Sequence, residues 1–499
     1  MYIYTVHFTN IYFSLSALKR FFKDTIIYGI AAVLPRVINF LLVKVQTDAL
    51  PTNNYAENTN FYIWAALFAI LLTFGFETAF FRFYKSEKNK DSLLSTAFLS
   101  VAFSAFIFII IAISFSDFFT TIFDFGHNPI QFKLLIGILT LDTLAVIPFA
   151  YLRATNRPIR YSTIKLLNVF VIVVINLLFL KFIPEYIKGG KQVPTFLISA
   201  FNSTKIVNFI FIANLIGSGI SLLLLLPYLL KFKWTFNSPL FKKMLSYSWP
   251  IAIAGIAYVI NENLDKILIG KLIDKNAMGI YAACYKLAIF MNLYIMAFRL
   301  GAEPFFFNHS DHKNAKETYA KILNYFIIIG ALVFVSIVVF IDILKQLFIN
   351  QAYWEAIGIV PIVLLANLLL GVYHNLAIWY KLTDKTRYAM LFSIIGAIIT
   401  IIVNVTFIPV IGFMASAWAT LLAYGIMMIF SYFIGKKHYK VPYNLKKSGS
   451  YLVASIIISF VSFKYFRENY LISVGFVLAF GALIFWNEKK ELLAIVKRK

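Results

Sequence analysis

The chain has 499 residues, of which 61% are hydrophobic, 18% aromatic and only 14% charged, with a mean hydropathy of +0.80 and a formal net charge of +24. A water-soluble fold of this balance would leave large apolar patches in water, so soluble architectures are excluded and a polytopic membrane protein is indicated. A charge of this size in a soluble chain would suggest nucleic acid, but the basic residues sit at the ends of apolar runs, so membrane topology accounts for them and nucleic acid is not required.

Residues 1–23 lack the basic, apolar and small-residue regions of a secretory signal and read as a cytoplasmic lead-in. The apolar runs that follow predict spans near 24–45, 60–81, 92–115, 131–152, 163–183 and 206–230, a first six-helix lobe over 24–230. A cytoplasmic linker at 231–245 leads to a second lobe over 246–434, with spans near 246–270, 277–299, 321–344, 355–380, 388–408 and 410–434. A linker at 435–448, a terminal helix pair near 449–466 and 470–487 and a basic tail at 488–499 complete the chain. About 14 spans of roughly 22 residues, each crossing a core of ~30 Å, leave no room for a sizeable soluble domain. Function must therefore reside in the helices or their short connections.

Cytoplasmic loops retain Lys and Arg, which orients the chain. With the N-terminus inside, the inner segments hold 32 of the 46 Lys and Arg residues and the outer segments 11, and Arg36, Lys266 and Lys286 fall within spans. The expected outer loops Gln46 to Thr59 and Ser116 to Ile130 contain neither Lys nor Arg. Both termini are thus expected in the cytoplasm. Cys284, the one cysteine, lies in an apolar segment and excludes an intramolecular disulfide, and no Cys/His spacing of a metal site occurs among the six histidines.

A charge at mid-bilayer costs at least ~2.5 kcal/mol, so each deep charge is a candidate functional residue. Arg36, Lys44, Glu77, Glu262, Asp265, Lys266 and Lys286 all fall in the first, second, seventh and eighth spans. Their concentration predicts one water-filled cavity faced by these four helices. Arg36 follows Pro35, sits halfway along its span and has no acidic residue one turn away; Lys286 also lacks one. Glu262 and Lys266, at i and i+4, can neutralise each other, and Lys44 can snorkel outward. Arg299 and Glu303 have the same spacing at the cytoplasmic boundary and predict a gate ion pair. The stretch Gly75-Phe76-Glu77-Thr78-Ala79-Phe80-Phe81 reappears in outline as Gly301-Ala302-Glu303-Pro304-Phe305-Phe306-Phe307, and the same offset carries the first span to the start of the seventh. Two parallel six-helix lobes are a known transporter arrangement.

The segment Asn263-Leu264-Asp265-Lys266-Ile267-Leu268-Ile269-Gly270, followed by Met278-Gly279-Ile280-Tyr281-Ala282-Ala283 and Lys286-Leu287, resembles the seventh-to-eighth-span signature of the Wzx polysaccharide flippases. These belong to the multidrug/oligosaccharidyl-lipid/polysaccharide (MOP) exporter superfamily. Pro35-Arg36-Val37-Ile38-Asn39-Phe40 is similar to the Arg-bearing first helix of that superfamily's lipid II flippases. The second Arg and the Asp expected one turn later there are replaced by Leu41, Leu42 and Val43, which argues against lipid II as substrate. The resemblance implies an all-α fold of two six-helix bundles in a V shape plus a terminal pair, with a central cavity lined by spans 1, 2, 7 and 8.

It further implies a transporter, not an enzyme: a monomeric flippase in the bacterial inner membrane. It would pass polyprenyl-diphosphate-linked oligosaccharide outward for O-antigen, capsule or exopolysaccharide synthesis, among membrane lipids and beside a polysaccharide polymerase. Arg36, Lys44, Lys266, Lys286 and Glu77 are the expected substrate residues. Glu262 and Asp265 are the expected sites for a coupling H⁺ or Na⁺, with no other cofactor. A multidrug exporter of the same superfamily is the alternative, disfavoured because a cationic cavity repels the cationic drugs such exporters commonly carry. A membrane polymerase or acyltransferase would need a catalytic constellation, and the longest outer connection, Pro184 to Lys205, has no histidine.

Overall fold

The computed structural model of the protein describes residues 34–155, 157–190, 194, 205–230, 234–308, 310, 312–383, 385 and 387–496, and all regular structure among them is helical. Helix α1 covers 34–49, followed by α2 (Thr52–Thr73), α3 (Phe76–Ser86), α4 (Lys90–Ser114), α5 (Ser116–Ile122), α6 (Pro129–Ala154), α7 (Pro158–Lys188) and α8 (Asn208–Leu229). Then come α9 (Ser238–Leu272), α10 (Lys275–Tyr285), α11 (Ile289–Asn308), α12 (Ala315–Val339), α13 (Ile341–Phe348), α14 (Ile359–Leu376) and α15 (Ile378–Leu382). Four long helices close the chain: α16 (Arg387–Ile411), α17 (Met414–His438), α18 (Leu445–Tyr465) and α19 (Tyr470–Val496). Twelve segments among the described residues are long and apolar enough to cross a membrane, and the bent pair α2–α3 makes a thirteenth. The lead-in 1–23, the first ten residues of the predicted first span, part of the linker at 231–245 and residues 497–499 of the tail lie outside the described residues. The all-α polytopic class expected from the sequence is the observed one.

Local chemistry explains many of the boundaries. The side chains of Asn89, Asp274, Asn350 and Asn444 accept hydrogen bonds from the first free backbone N–H groups of the helical turns that follow them. Pro129 and Pro158 occupy first-turn positions, where a missing N–H costs nothing. The second span begins at Thr52 rather than near 60, so most of the predicted outer loop 46–59 is helical. Its polar residues misled the hydropathy reading because they are buried against protein; Asn58 is only 1% exposed. The same span bends by 41° at Phe74 and Gly75, whose φ values are 48° and 70°. A side chain on Gly75 would also meet the Ser248 carbonyl at 3.3 Å.

The described residues form two compact units: one takes residues 34–45 with those of Trp64–Ala252, the other Gln46–Ile63 with those from Ile253 to 496. In the first, Phe76, Phe80, Leu93, Ala97, Ile147, Ala150 and Met244 make a core joining α3, α4, α6 and the start of α9. In the second, Ala366, Tyr373, Phe392 and Tyr424 pack α14, α16 and α17 together. Gly330 and Gly371 admit their neighbours so closely that an added Cβ would lie 2.5 Å from Leu368 and Phe326, respectively.

The terminal pair α18–α19 packs on α12 through Ile328, Ala331, Val335, Tyr451 and Phe480. One end is fastened by Glu488, which binds Lys447 at 2.7 Å and accepts from the Tyr451 hydroxyl at 2.8 Å. At the other, buried Asp342 receives Arg467 and Lys345, each at 2.5 Å. Burial alone would raise the Asp342 carboxyl, but the hydrogen bonds from Arg467 and Lys345 outweigh it and hold it below the usual carboxylate range. Its stabilisation is therefore fully present above the unfolded value of ~3.9 and is lost as pH falls through the lower folded one. We expect Asp342→Asn to cost about 2 kcal/mol of stability at pH 7, after discounting a buried pair for the partial exposure of Arg467, and so to lower the melting temperature in detergent. The deficit should shrink on acidification below pH ~4, where wild type loses the same charge.

Candidate functional site

The eighth span is interrupted near its middle. Helix α10 ends at Tyr285, one 3-10 turn covers Lys286–Ala288, and α11 resumes at Ile289. The start of α2 lies against α10 in backbone contact: a Cβ on Gly279 would sit 1.9 Å from the Thr52 carbonyl oxygen. The approach is fixed by Thr52 bonding Asn276, by the Asn350 amide N–H donating to Thr47 at 3.2 Å, and by the Asn350 side chain donating to Asp48 at 2.9 Å.

This packing puts the Lys286 ammonium 5.1 Å from the centre of the Tyr55 ring. Among the described residues, Lys286 makes no hydrogen bond or ion pair. Tyr55 is fully buried, its ring edge-on to Tyr353 at 5.4 Å, while the Tyr353 hydroxyl is used up on the Leu50 carbonyl at 2.7 Å. Among the described residues, the Tyr55 hydroxyl and both polar atoms of the buried Asn58 amide have no hydrogen-bond partner. A cation over an aromatic face gains up to about 2 kcal/mol when desolvated, which does not cancel the cost of an unpaired charge at this depth. A cation with no counter-ion among the described residues, over a ring whose hydroxyl is unused, is preorganised to receive an anion.

Asp265 and Lys266 form a different kind of centre. Asp265 is 1% exposed, lies 3.1 Å from the Lys266 ammonium and accepts from the Tyr281 hydroxyl at 2.7 Å. Lys266 donates to the backbone carbonyl of Glu262 and stands 3.9 Å over the Tyr285 ring. The expected i,i+4 contact therefore runs to the Glu262 backbone, and the charge of Lys266 is matched by its sequence neighbour. The Glu262 carboxylate instead accepts from the Tyr424 hydroxyl on α17.

Beside Glu262 runs a chain of buried amides and hydroxyls that the sequence reading missed. Asn261 donates to the Ser393 carbonyl at 3.2 Å and accepts from Thr400 at 3.1 Å. Asn404 donates to the Thr400 carbonyl at 2.8 Å and accepts from Ser416 at 2.6 Å. A signal was available: Thr400 and Asn404, then Ser416, Thr420 and Tyr424, recur every fourth residue on otherwise apolar helices, which places each set on one face.

In the first unit, Glu77 pairs with Arg153 at 2.9 Å, both half-exposed, and the guanidinium lies 4.8 Å over the Phe81 ring. Glu77 is thus a partner of a basic residue on α6, at the end of the span. Arg36 is exposed on α1 and Lys44, about two turns further on, is partly buried, and neither is without a partner. Arg299 lies in α11; the side chain of Glu303, its expected gate partner, lies outside the described residues. Among the described residues there is no group of three His, Cys, Asp or Glu that could hold a metal ion.

Residues 197–298 match the sequence model of the family described as "Polysaccharide biosynthesis protein", and residues 250–406 match that described as "MatE". No curated protein matches the chain in sequence. Among solved structures, the chain is similar to the lipid II flippase MurJ in an inward closed conformation, with 19% identity, a TM-score of 0.70 and coverage of 93% of this chain and 99% of that one. It is also similar to an inward-facing multidrug resistance MATE family transporter of the MOP superfamily, at 11% identity, 82% and 97% coverage and a TM-score of 0.60. A MOP superfamily transporter from Pyrococcus furiosus, whose description cites a binding pocket of reverse polarity, follows at 12% identity, 84% and 95% coverage and a TM-score of 0.55.

Proposed function

We propose that this chain, built on the fold of the MOP exporters, is a flippase that carries a polyprenyl-diphosphate-linked oligosaccharide unit outward across the bacterial inner membrane by alternating access. The observation that carries the reading is Lys286, a partly buried ammonium with no carboxylate partner among the described residues, set over the ring of Tyr55, whose hydroxyl is unused there. A diphosphate is the anionic part of such a substrate, and its attraction to a desolvated ammonium is far stronger than in water. The match to a polysaccharide biosynthesis family and the likeness to a lipid II flippase support the substrate class. Arg36 and Lys44 are further cations proposed for the substrate, while Lys266 serves to neutralise Asp265.

Coupling is assigned to Glu262. Asp265 already has a cation, whereas the Glu262 carboxylate meets a hydroxyl and lies next to the oxygen-rich set of Asn261, Thr400 and Asn404. Hydroxyl, amide and carboxylate oxygens suit a hard cation or a proton and offer nothing to a soft metal. Both termini face the cytoplasm in this reading, and a polysaccharide polymerase takes the product on the outer side.

The test is reconstitution in liposomes with a fluorescent lipid-linked oligosaccharide under an imposed H⁺ or Na⁺ gradient. Wild type should flip the lipid faster with one of the two gradients, and Glu262→Gln should remove that gradient response. Efflux of cationic drugs without movement of the labelled lipid would instead assign the chain to the drug exporters of this fold.

A further inference from the structure

Helix α6 is enclosed by its neighbours over most of its length, and between 134 and 152 Asp142 is its one exposed residue. The position is the middle of a membrane span, about 18–20 Å along the helix from either end. A helix that faces lipid exposes a stripe of apolar side chains, whereas α6 exposes a single acid at this depth. A carboxylate bared to hydrocarbon there is costly, so the recess it faces, within the first unit, is a hydrated one.

Three helices bring polar side chains to this recess. Asp142 accepts from the Ser218 hydroxyl of α8 and interacts with the charge of Lys165 on α7. One turn further along each of those helices, the Asn168 amide donates to the Ser221 hydroxyl at 3.1 Å, so Asp142, Ser218, Ser221, Asn168 and Lys165 close a loop. Much of its hydrogen-bonding capacity is unused. Among the described residues, the Lys165 ammonium makes no hydrogen bond and lies 4.2 Å over the Phe149 ring, and the Asn168 carbonyl oxygen accepts none. Charge then decides which ligand fits. Asp142 and Lys165 sum to zero, so the set favours neither an anion nor a cation. Unused donors beside unused acceptors suit hydroxyl groups, each of which donates and accepts. The same face of α6 carries Phe149 and Arg153 at i+7 and i+11 from Asp142. Arg153 pairs with Glu77 at 2.9 Å and lies 6.0 Å from the Tyr161 ring, which meets Phe149 edge-on at 5.5 Å. A second neutral acid–base pair thus stands about 16 Å along α6, with aromatic rings between the two.

We infer that the recess of α6, α7 and α8 is a sugar-binding subsite for the transported oligosaccharide, in which Asp142 and Asn168 accept from pyranose hydroxyls and Lys165 donates to them. The inference rests on the reading of the chain as a flippase of a lipid-linked oligosaccharide, and it assigns the glycan to residues other than those that meet the diphosphate. Lys286, an ammonium over an aromatic ring, recognises charge. The recess, being electroneutral, recognises hydroxyl groups, and its aromatic rings offer faces to the apolar side of a sugar ring.

Native mass spectrometry of the delipidated full chain, titrated with undecaprenyl diphosphate or with the same lipid carrying N-acetylglucosamine, separates the two parts of the substrate. Wild type should bind the glycosylated lipid more tightly than the bare one. Asp142→Asn should weaken the glycosylated lipid about 10-fold or more, the scale of a hydrogen bond to a charged group, and leave the bare lipid within about twofold. Lys286→Gln, by contrast, should weaken both. Asn168→Ala is the second variant should Asp142→Asn fail to fold, and it should act in the same direction. Unchanged binding of the glycosylated lipid by the folded variants, or an equal loss for both lipids, would overturn the subsite. Failure of wild type to bind either lipid would instead overturn the flippase reading on which the subsite rests.

Discussion

Lys286→Gln is expected to reduce oligosaccharide flipping by about 100-fold or more, the scale of loss seen when one preorganised electrostatic group is removed from a desolvated site. The same substitution should leave thermal stability in detergent unchanged or higher, because it removes a partly buried cation that no carboxylate among the described residues balances. Activity and stability moving in opposite directions is the signature of a residue kept for its ligand. A lysine kept for packing would lower both. Lys286→Arg should recover part of the transport, since charge is retained while the shape over Tyr55 is not. Proteoliposome flipping rates together with melting curves of the same preparations decide the matter, and wild-type transport by the glutamine variant would remove Lys286 from the mechanism.

Gly279→Val should have the largest effect on folding. Even a bare Cβ at this position would lie 1.9 Å from the Thr52 carbonyl oxygen and 2.9 Å from its carbon, and backbone atoms cannot rotate aside. The start of α2 must then leave α10, carrying Tyr55 away from Lys286 and loosening the contacts of Thr47 and Asp48 with Asn350. Overpacking of this kind costs about 1–3 kcal/mol when flexible side chains absorb it, and more where backbone meets backbone. We expect little monodisperse protein from this variant on size exclusion and a sharply lowered melting temperature in what is recovered. Gly449→Ala is the control: nothing lies within 4 Å of its added Cβ, and alanine in a helix interior should be neutral or stabilise by about 0.5–1 kcal/mol.

Much of the membrane architecture was legible before any coordinates. Apolar runs located the spans because a helix in hydrocarbon must satisfy its backbone internally and present apolar side chains over a fixed length. Deep charges singled out Glu262, Asp265, Lys266 and Lys286, and all four are buried or partly buried in the second unit. Hydropathy failed at 46–59, where Asn58 and its neighbours are polar but enclosed, and it gave no warning of the Asn261–Thr400–Asn404–Ser416 chain. Amides and hydroxyls carry little weight on a transfer scale. Their importance lies in which partner they meet across hundreds of residues.

Length, hydropathy and charge distribution by themselves determined that the chain is an all-helical membrane protein, where its helices run, and which ionisable residues lie too deep to be accidental. Those properties are local, since each residue's cost in hydrocarbon is set by its own chemistry. Only the tertiary structure decided which of the deep charges are answered. Lys266 is matched by its chain neighbour Asp265 and Glu77 by Arg153 on another helix, whereas among the described residues Lys286 meets an aromatic face and no acid. The Glu77–Arg153 pair depends on a 2.9 Å approach between helices remote in sequence, which no spacing along the chain encodes.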